Sequence, residues 1–303
     1  MKILTAVLFY FISALHAQAA SDCDKECLEN FADQYRAAYL QHDPALVNIS
    51  ADVKFTENNV ELPFPDGSWD TVSEEVIEAL TFSDPVTANV GFYTAIMQND
   101  TQGFLAVRLK IADGEITEIE HILSTRRNLS SPPTPFADPH GYSHDPDIDR
   151  TVPLDERVSR DRLIYHADGY FSILENNTGE IRGVNFAPDA SRFGNGMEST
   201  EIEKGFLSGS YRSNDRVRER DYFLVDEERG IVMARAFIDH KGVLDEFTLT
   251  DGTEMRSPYR EPQTWSLLEM FKIKNDMITA VEATFIAVPY YMPSSWTANS
   301  DSR

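Results

Sequence analysis

Positive charge is scarce in this chain. Lysine and arginine total 27 against 50 aspartates and glutamates, a formal charge of -23 over 303 residues. Nucleic acid and anionic membranes both repel such a surface, so neither is expected as a partner. Cysteine is scarcer still: Cys23 and Cys27 are the only two. Four residues apart at a helix start, they are disulfide candidates, with free thiols the alternative. A Cys-x-x-x-Cys pair alone is a poor zinc site, since zinc takes four ligands. Of seven histidines one, His16, falls in the leader. A multi-histidine metal site is therefore poorly supplied, and no metal is expected. The chain has no G-x-S-x-G, P-loop, H-E-x-x-H or dinucleotide fingerprint, which removes the commonest nucleophile, nucleotide and metal-hydrolase readings. No apolar run after the first twenty residues is long enough to span a bilayer.

What is present begins with a leader. Lys2, the apolar run Ile3 to Leu15 and Ala17-Gln18-Ala19 read as a cleavable signal over residues 1–19. The mature protein is expected to be secreted or periplasmic. Four Asn-x-Ser/Thr sequons, at Asn48, Asn99, Asn128 and Asn176, matter only if the source glycosylates exported proteins.

The rest of the chain says nearly the same thing twice. "FADQY" (31–35) matches "HADGY" (166–170), "SADVKFTEN" (50–58) matches "APDASRFGN" (187–195), and "LKIADGEIT" (109–117) matches "FKIKNDMIT" (271–279). Each copy opens on a helix with an apolar aromatic face: Leu28, Phe31, Tyr35 and Tyr39 in one, Leu163, His166, Tyr170 and Leu174 in the other. Ser21 or Asp22 can cap the first helix. Strands follow, and a hairpin ends each copy. The offset grows from 135 and 137 to 162, so the second copy carries an extra loop before its last hairpin, placed within Asp239 to Gln263. An insertion of that size is often functional or lid-like. Between the copies, residues 128–159 are rich in proline and aspartate and show no period, the signature of a linker. His140, His144, Asp145 and Asp147 there offer at most a loose cation site. The expected division is a leader (1–19), a first domain (20–127), the linker (128–159) and a second domain (160–303), each domain α+β.

The order "ADQYRAAYLQHDPALVNISADVKFTEN … GFLAVRLKIADGEITEIE" resembles the nuclear transport factor 2-like, or SnoaL-like, superfamily. As a two-copy chain with a leader it is also similar to a group of exported, largely uncharacterised proteins. The resemblance implies two cones, each a curved antiparallel sheet wrapped on helices around an apolar pocket. It implies that the fused copies pair as an internal pseudo-dimer, so that a monomeric chain satisfies the pairing. Relatives use the pocket for cofactor-independent acid–base chemistry on small hydrophobic molecules, or only to bind or dimerise. Fold alone does not choose among these.

Candidate residues follow from the pattern. Trp265, Leu267, Glu269, Phe271 and Ile273 share one strand face. A carboxylate in that row is costly unless paired or protonated, and desolvation would raise its pKa as a general acid or base requires. Arg192 stands where the first copy has Phe55 and so is expected to point inward. Either it orients a substrate oxygen, or it and Glu269 merely neutralise each other. Asn195 repeats Asn58, as a hydrogen-bond donor or as a turn residue before Gly196. His166 and Tyr170, one helical turn apart, either line the pocket or belong to the core, as Phe31 and Tyr35 do in the first copy. Glu57 and His121 are a possible carboxylate–imidazole pair there. His240 closes a strand before the extra loop, at an expected pocket mouth, and Trp265, Tyr35 and Asn58 complete the expected lining. The function expected is lyase, isomerase or hydratase chemistry without a cofactor on a small apolar or aromatic molecule, with Glu269, Arg192 and Asn195, or Glu57 and His121, as the catalytic groups. The alternatives are a non-catalytic binder of a small hydrophobic ligand and a structural pseudo-dimer.

Overall fold

In the computed structural model, which describes residues 23–126, 134–199 and 201–296, helix α1 (Lys25–Gln41) opens the chain. Its cap is Asp24, whose carboxylate accepts the Cys27 amide at 3.0 Å. The cap expected at Ser21 or Asp22 lies outside the described residues, as do the leader and Asn128. Cys23 and Cys27 are bridged across the first turn. His42 ends the helix in the left-handed region, returning its amide to Ala38 and Tyr39.

Seven strands follow: β1 (Ile49–Glu57), β2 (Val60–Leu62), β3 (Val72–Glu75), β4 (Leu80–Asp84), β5 (Asn89–Gln98), β6 (Thr101–Ala112) and β7 (Glu115–Thr125). They form one sheet in the order β2-β1-β7-β6-β5-β3, with β4 also on β5. The second half has α2 (Arg160–Leu174), β8 (Phe186–Gly194), β9 (Met197–Glu198), α3 (Ile202–Ser208), β10 (Arg216–Asp226) and β11 (Ile231–His240). A small hairpin, β12 (Glu246–Thr248) and β13 (Glu254–Arg256), precedes β14 (Gln263–Lys274) and β15 (Met277–Pro289). The second sheet runs β10-β11-β14-β15-β8-β9. Read from the opposite end, it repeats the path of the first. In both, the strand after the helix pairs parallel with the last strand, β1 with β7 and β8 with β15, and the other pairings are antiparallel. The class is α+β with two sheet bodies. Helix α3 has no counterpart in the repeat pattern of the sequence; the extra loop is where the β12–β13 hairpin lies.

Alternation gives each long strand two jobs. One face of each sheet packs on its helix: Leu28, Ala32, Tyr35 and Tyr39 meet Phe92, Val107 and Ile119 in the first half, and Leu163, Ala167, Tyr170 and Phe171 meet Ala234, Phe271 and Val281 in the second. The other faces pack against each other. Tyr93, Ala106 and Ile122 meet Phe223, Met233, Leu268 and Met270 there. Gly91 lets the Met233 side chain lie close at this junction, where a Cβ would stand 2.5 Å from its methyl and force it to shift. The junction also buries charge. Glu120 receives the Arg235 Nε at 2.6 Å, a second Arg235 nitrogen, and the Arg108 Nε at 3.0 Å. Such a cluster favours one register, because any slip would strand a buried charge.

The proline-rich connection is pinned rather than loose where it is described. Lys272 donates to the Ile148, Arg150 and Arg229 carbonyls at 3.0, 2.6 and 2.6 Å. Burial pushes its pKa down to about 8. His144 is committed to Glu282 at 2.8 Å. Among the described residues no group of three His, Cys, Asp or Glu side chains is placed to hold a metal, so His140, His144, Asp145 and Asp147 do not converge on one. No described helix is long and apolar enough to cross a membrane.

Candidate active site

The repeat explains where space opens. Register pairs Phe92 with Val107 in the first sheet and Ala234 with Glu269 in the second. At these equivalent sites the second half trades a phenylalanine for an alanine and a valine for a carboxylate. On the helices, Tyr39 of the first copy is Leu174 of the second; on the first strand, Phe55 is Arg192. Three bulky apolar side chains thus become two smaller ones and an arginine. A cavity of about 260 Å³ results. Leu174, Ile238, Leu267 and Phe285 supply apolar walls, Trp265, Tyr211 and Tyr259 the aromatic ones, and Arg192, Glu269 and Asn214 the polar groups.

Glu269 is 2% exposed. Burial pushes its pKa up to about 7, although Arg192 and the Tyr170 phenol pull the other way. It makes no ion pair within 4.0 Å among the described residues. The Tyr170 hydroxyl lies beside it but short of regular hydrogen-bond geometry. Arg192 donates its Nη1 to the Tyr211 hydroxyl at 2.6 Å and lies over the Tyr211 and Tyr170 rings at 5.1 and 5.8 Å. Burial alone would weaken its hold on the proton; Tyr170, Tyr211 and Glu269 outweigh that and hold it charged. The cavity therefore combines a carboxyl that changes state near neutrality with a fixed cation that it does not touch. Mutual neutralisation, the bland alternative for this pair, does not describe the geometry.

The remaining candidates divide. Trp265 lines the cavity, tilted on Phe285 at 4.6 Å between ring centres. Tyr170 is fully buried beneath Arg192 and belongs to the core. Asn195 is not a donor to the cavity. Its amide nitrogen bonds the Pro135 and Phe285 carbonyls at 3.0 Å each, and its oxygen accepts the Phe285 amide at 3.0 Å. Asn58 does the same to Leu123, donating at 3.2 Å and accepting at 2.8 Å. Both stand at positive φ. The repeated amide is a clamp that ties the turn after the first strand to the last strand, a backbone role asparagine fills well. His166 turns away from the cavity to Asp276 at 2.8 Å, where Arg162 also binds. His240 stands behind the wall, stacked on Tyr259 at 3.8 Å and bonded to Asn214 at 3.0 Å. Burial lowers its pKa to about 3, so it is neutral.

In the first half Glu57 and His121 do meet, at 3.6 Å. Ser68 donates its hydroxyl and amide to Glu57, and His121 shares a hydrogen bond with the Tyr35 hydroxyl at 2.8 Å, which accepts the Trp69 indole at 3.1 Å. Burial opposes ionisation of Glu57, but His121 and Ser68 outweigh it and lower its pKa. His121 is completely buried, and Tyr35 is core rather than lining. Glu57 alone of the pair borders a polar cleft, with Gln98, Ser124 and Thr125.

Sequence reasoning missed Tyr211, Tyr259 and Asn214. Tyr259 lies in the extra loop, whose size was the available signal. Tyr211 sits in an aperiodic stretch after α3 that carries no signal of its own.

Comparison with known proteins adds little chemistry. A family model described as a domain of unknown function (DUF8021) matches residues 156–285, the body of the second half. No curated protein matches the chain. Among solved structures, AclR, described as a putative hydroxylase from Streptomyces galilaeus, is similar over 33% of this chain and 79% of its own, at 14% identity and a TM-score of 0.27.

Proposed function

We propose that the cavity of the second half is a site for cofactor-independent acid–base chemistry, of lyase, isomerase or hydratase type, on a small apolar or aromatic molecule. On this reading the chain is an exported tandem of two nuclear transport factor 2-like domains, an internal pseudo-dimer in which the second copy keeps an apolar, aromatic-walled pocket. The bridge between Cys23 and Cys27 is in keeping with an oxidising compartment. The observation that carries the reading is Glu269, unpaired, in an aromatic cavity, with its pKa near neutrality. A base works best when its pKa lies near the working pH. Arg192 and Tyr211 supply fixed donors on the same cavity, where charge developing on a substrate oxygen would be stabilised.

The test needs no knowledge of the natural substrate. In 5-nitrobenzisoxazole a base removes the ring C–H proton, the N–O bond breaks and its electrons leave on the phenolate oxygen. The protein should catalyse this elimination with a rate that rises through pH about 7. Glu269→Gln should reduce it by about 10²–10⁴-fold. An unchanged rate in that variant would remove Glu269 as the base. A second reading, a non-catalytic binder, is favoured by one observation: with Asn195 spent on the backbone, the donor set reduces to Arg192 and Tyr211, which suffices to hold a ligand.

A further inference from the structure

The Arg192 guanidinium is half used. Its Nη1 is spent on Tyr211, while its Nε and Nη2 make no hydrogen bond among the described residues, and no carboxylate comes within 4.0 Å of it. Most other poorly exposed arginines behave differently, although Arg212 lies over Phe247 with no ion pair and Arg157 bonds only the Val152 carbonyl among the described residues. Arg235 binds Glu120 and Asp221, Arg160 binds Asp84, Arg218 binds Asp239, and Arg220 binds Asp168 and Glu175. What sets Arg192 apart is that its unpaired edge borders a cavity. The free Nε–Nη2 edge is the fork that matches two carboxylate oxygens. A phosphate would ask for more than one cation, and among the described residues Arg192 is the only one lining this cavity. Around it stand flat walls: Trp265 and Phe285, tilted 37° to each other, with Tyr259 edge-on to Trp265 at 5.4 Å.

We infer that this cavity takes a small aromatic carboxylate, its two oxygens on the free edge of Arg192 and its ring against Trp265 and Phe285. The inference rests on the reading of this cavity as the reaction site and names the class of molecule it admits. It has a consequence for Glu269. That carboxyl faces Arg192 from β8 and Tyr170 from α2, and it acts electrostatically on Tyr93 of β5. A second carboxylate drawing on the same guanidinium removes part of what keeps Glu269 ionised, so binding near neutral pH takes up a proton from solvent.

Calorimetric titration at pH 7.5 with benzoate, benzamide and benzylamine, in two buffers of different ionisation enthalpy, tests this. Benzoate should bind at least 10-fold more tightly than benzamide, with benzylamine weakest. Arg192→Gln should weaken benzoate by about 10- to 100-fold, as expected for a charge-assisted bidentate pair. Arg192→Lys, which keeps the charge without the fork, should fall between. Benzoate binding should take up a fraction of a proton in the unaltered protein and none in Glu269→Gln, which should still bind it. Benzoate should also compete with 5-nitrobenzisoxazole. Equal binding of benzamide, preference for benzylamine, or full affinity in folded Arg192→Gln or Arg192→Lys would overturn the inference. Elimination without benzoate binding sinks the carboxylate alone; Arg192-dependent benzoate binding without elimination sinks the base alone.

Discussion

Over helix α1, the first half fills its interior with Tyr39, Phe92 and Trp69, the last brought in by a short 3₁₀ turn, Gly67–Asp70. Over α2, the second half has Leu174 and Ala234 at the first two of these positions and leaves space beside Arg192 and Glu269. The scaffolds share strand order and pairing sense, and even the asparagine clamp after the first strand. What differs is side-chain volume at a few inward positions and the charge of two of them. Two sheet bodies of the same strand path can thus be filled or opened separately. The polar groups follow the space. Glu57, wrapped by Ser68 and His121, stays ionised; Glu269, desolvated and unwrapped, does not settle in either state at neutral pH.

The strongest way to break this comparison is to empty the filled half. Trp69→Ala should cost about 3–5 kcal/mol in urea denaturation, because a rigid packed ring leaves a void that relaxes poorly. It should not create activity, since Val107 stands where Glu269 does. A cost below 1 kcal/mol would mean that Trp69 is no plug.

Next is filling the open half. Leu174→Tyr with Ala234→Phe copies the first interior into the second. The elimination activity should fall about 100-fold or more, equivalent to roughly 3 kcal/mol of barrier, while the protein remains folded by circular dichroism. Retained activity would place the reaction elsewhere.

The two carboxylates should also respond to pH with opposite sign. The folded pKa of Glu269, about 7, lies above its ordinary 4.5. Its protonated form therefore lends stability that is complete below pH 4.5 and is lost as pH rises through 7. Glu269→Gln should gain on the unaltered protein by about 2.5 kcal/mol between pH 5 and pH 8.5. Glu57 has a lowered pKa, so its contribution is present above pH 4.5 and is lost as pH falls. Glu57→Gln should destabilise at pH 7 and converge on the unaltered protein in acid. Parallel pH profiles for the two variants would refute the contrast.

The smallest effect concerns the staple that only the first half has. Cys27→Ser, closing no loop across the first turn of α1, should lose about 1–2 kcal/mol, with the elimination activity unchanged.

Much of the fold was legible. The repeated helix faces, the Ile-Thr hairpins and the offset between copies gave the order of elements, because periodicity reports which face is buried. The same alternation placed Glu269 on an inward row, and alignment with Phe55 turned Arg192 inward. Legibility failed where a side chain's partner lies far along the chain. His166 looked like lining because it shares a face with Tyr170, but Asp276 of the β14–β15 turn captures it. Asn195 looked like a donor because it recurs, but it recurs for a backbone that sequence does not draw. Tyr211 and Tyr259 come from irregular segments, where no period says which way a ring points.

By itself, then, the sequence determined the α+β class, the inward carboxylate and the inward arginine, all consequences of local period and self-comparison. Tertiary structure decided that the first interior is full and the second open, that Arg192 and Glu269 stand apart, and that a loop tyrosine holds one edge of the guanidinium while the other stays free. Those outcomes depend on volumes and distances between residues remote in the chain, and no local pattern encodes them.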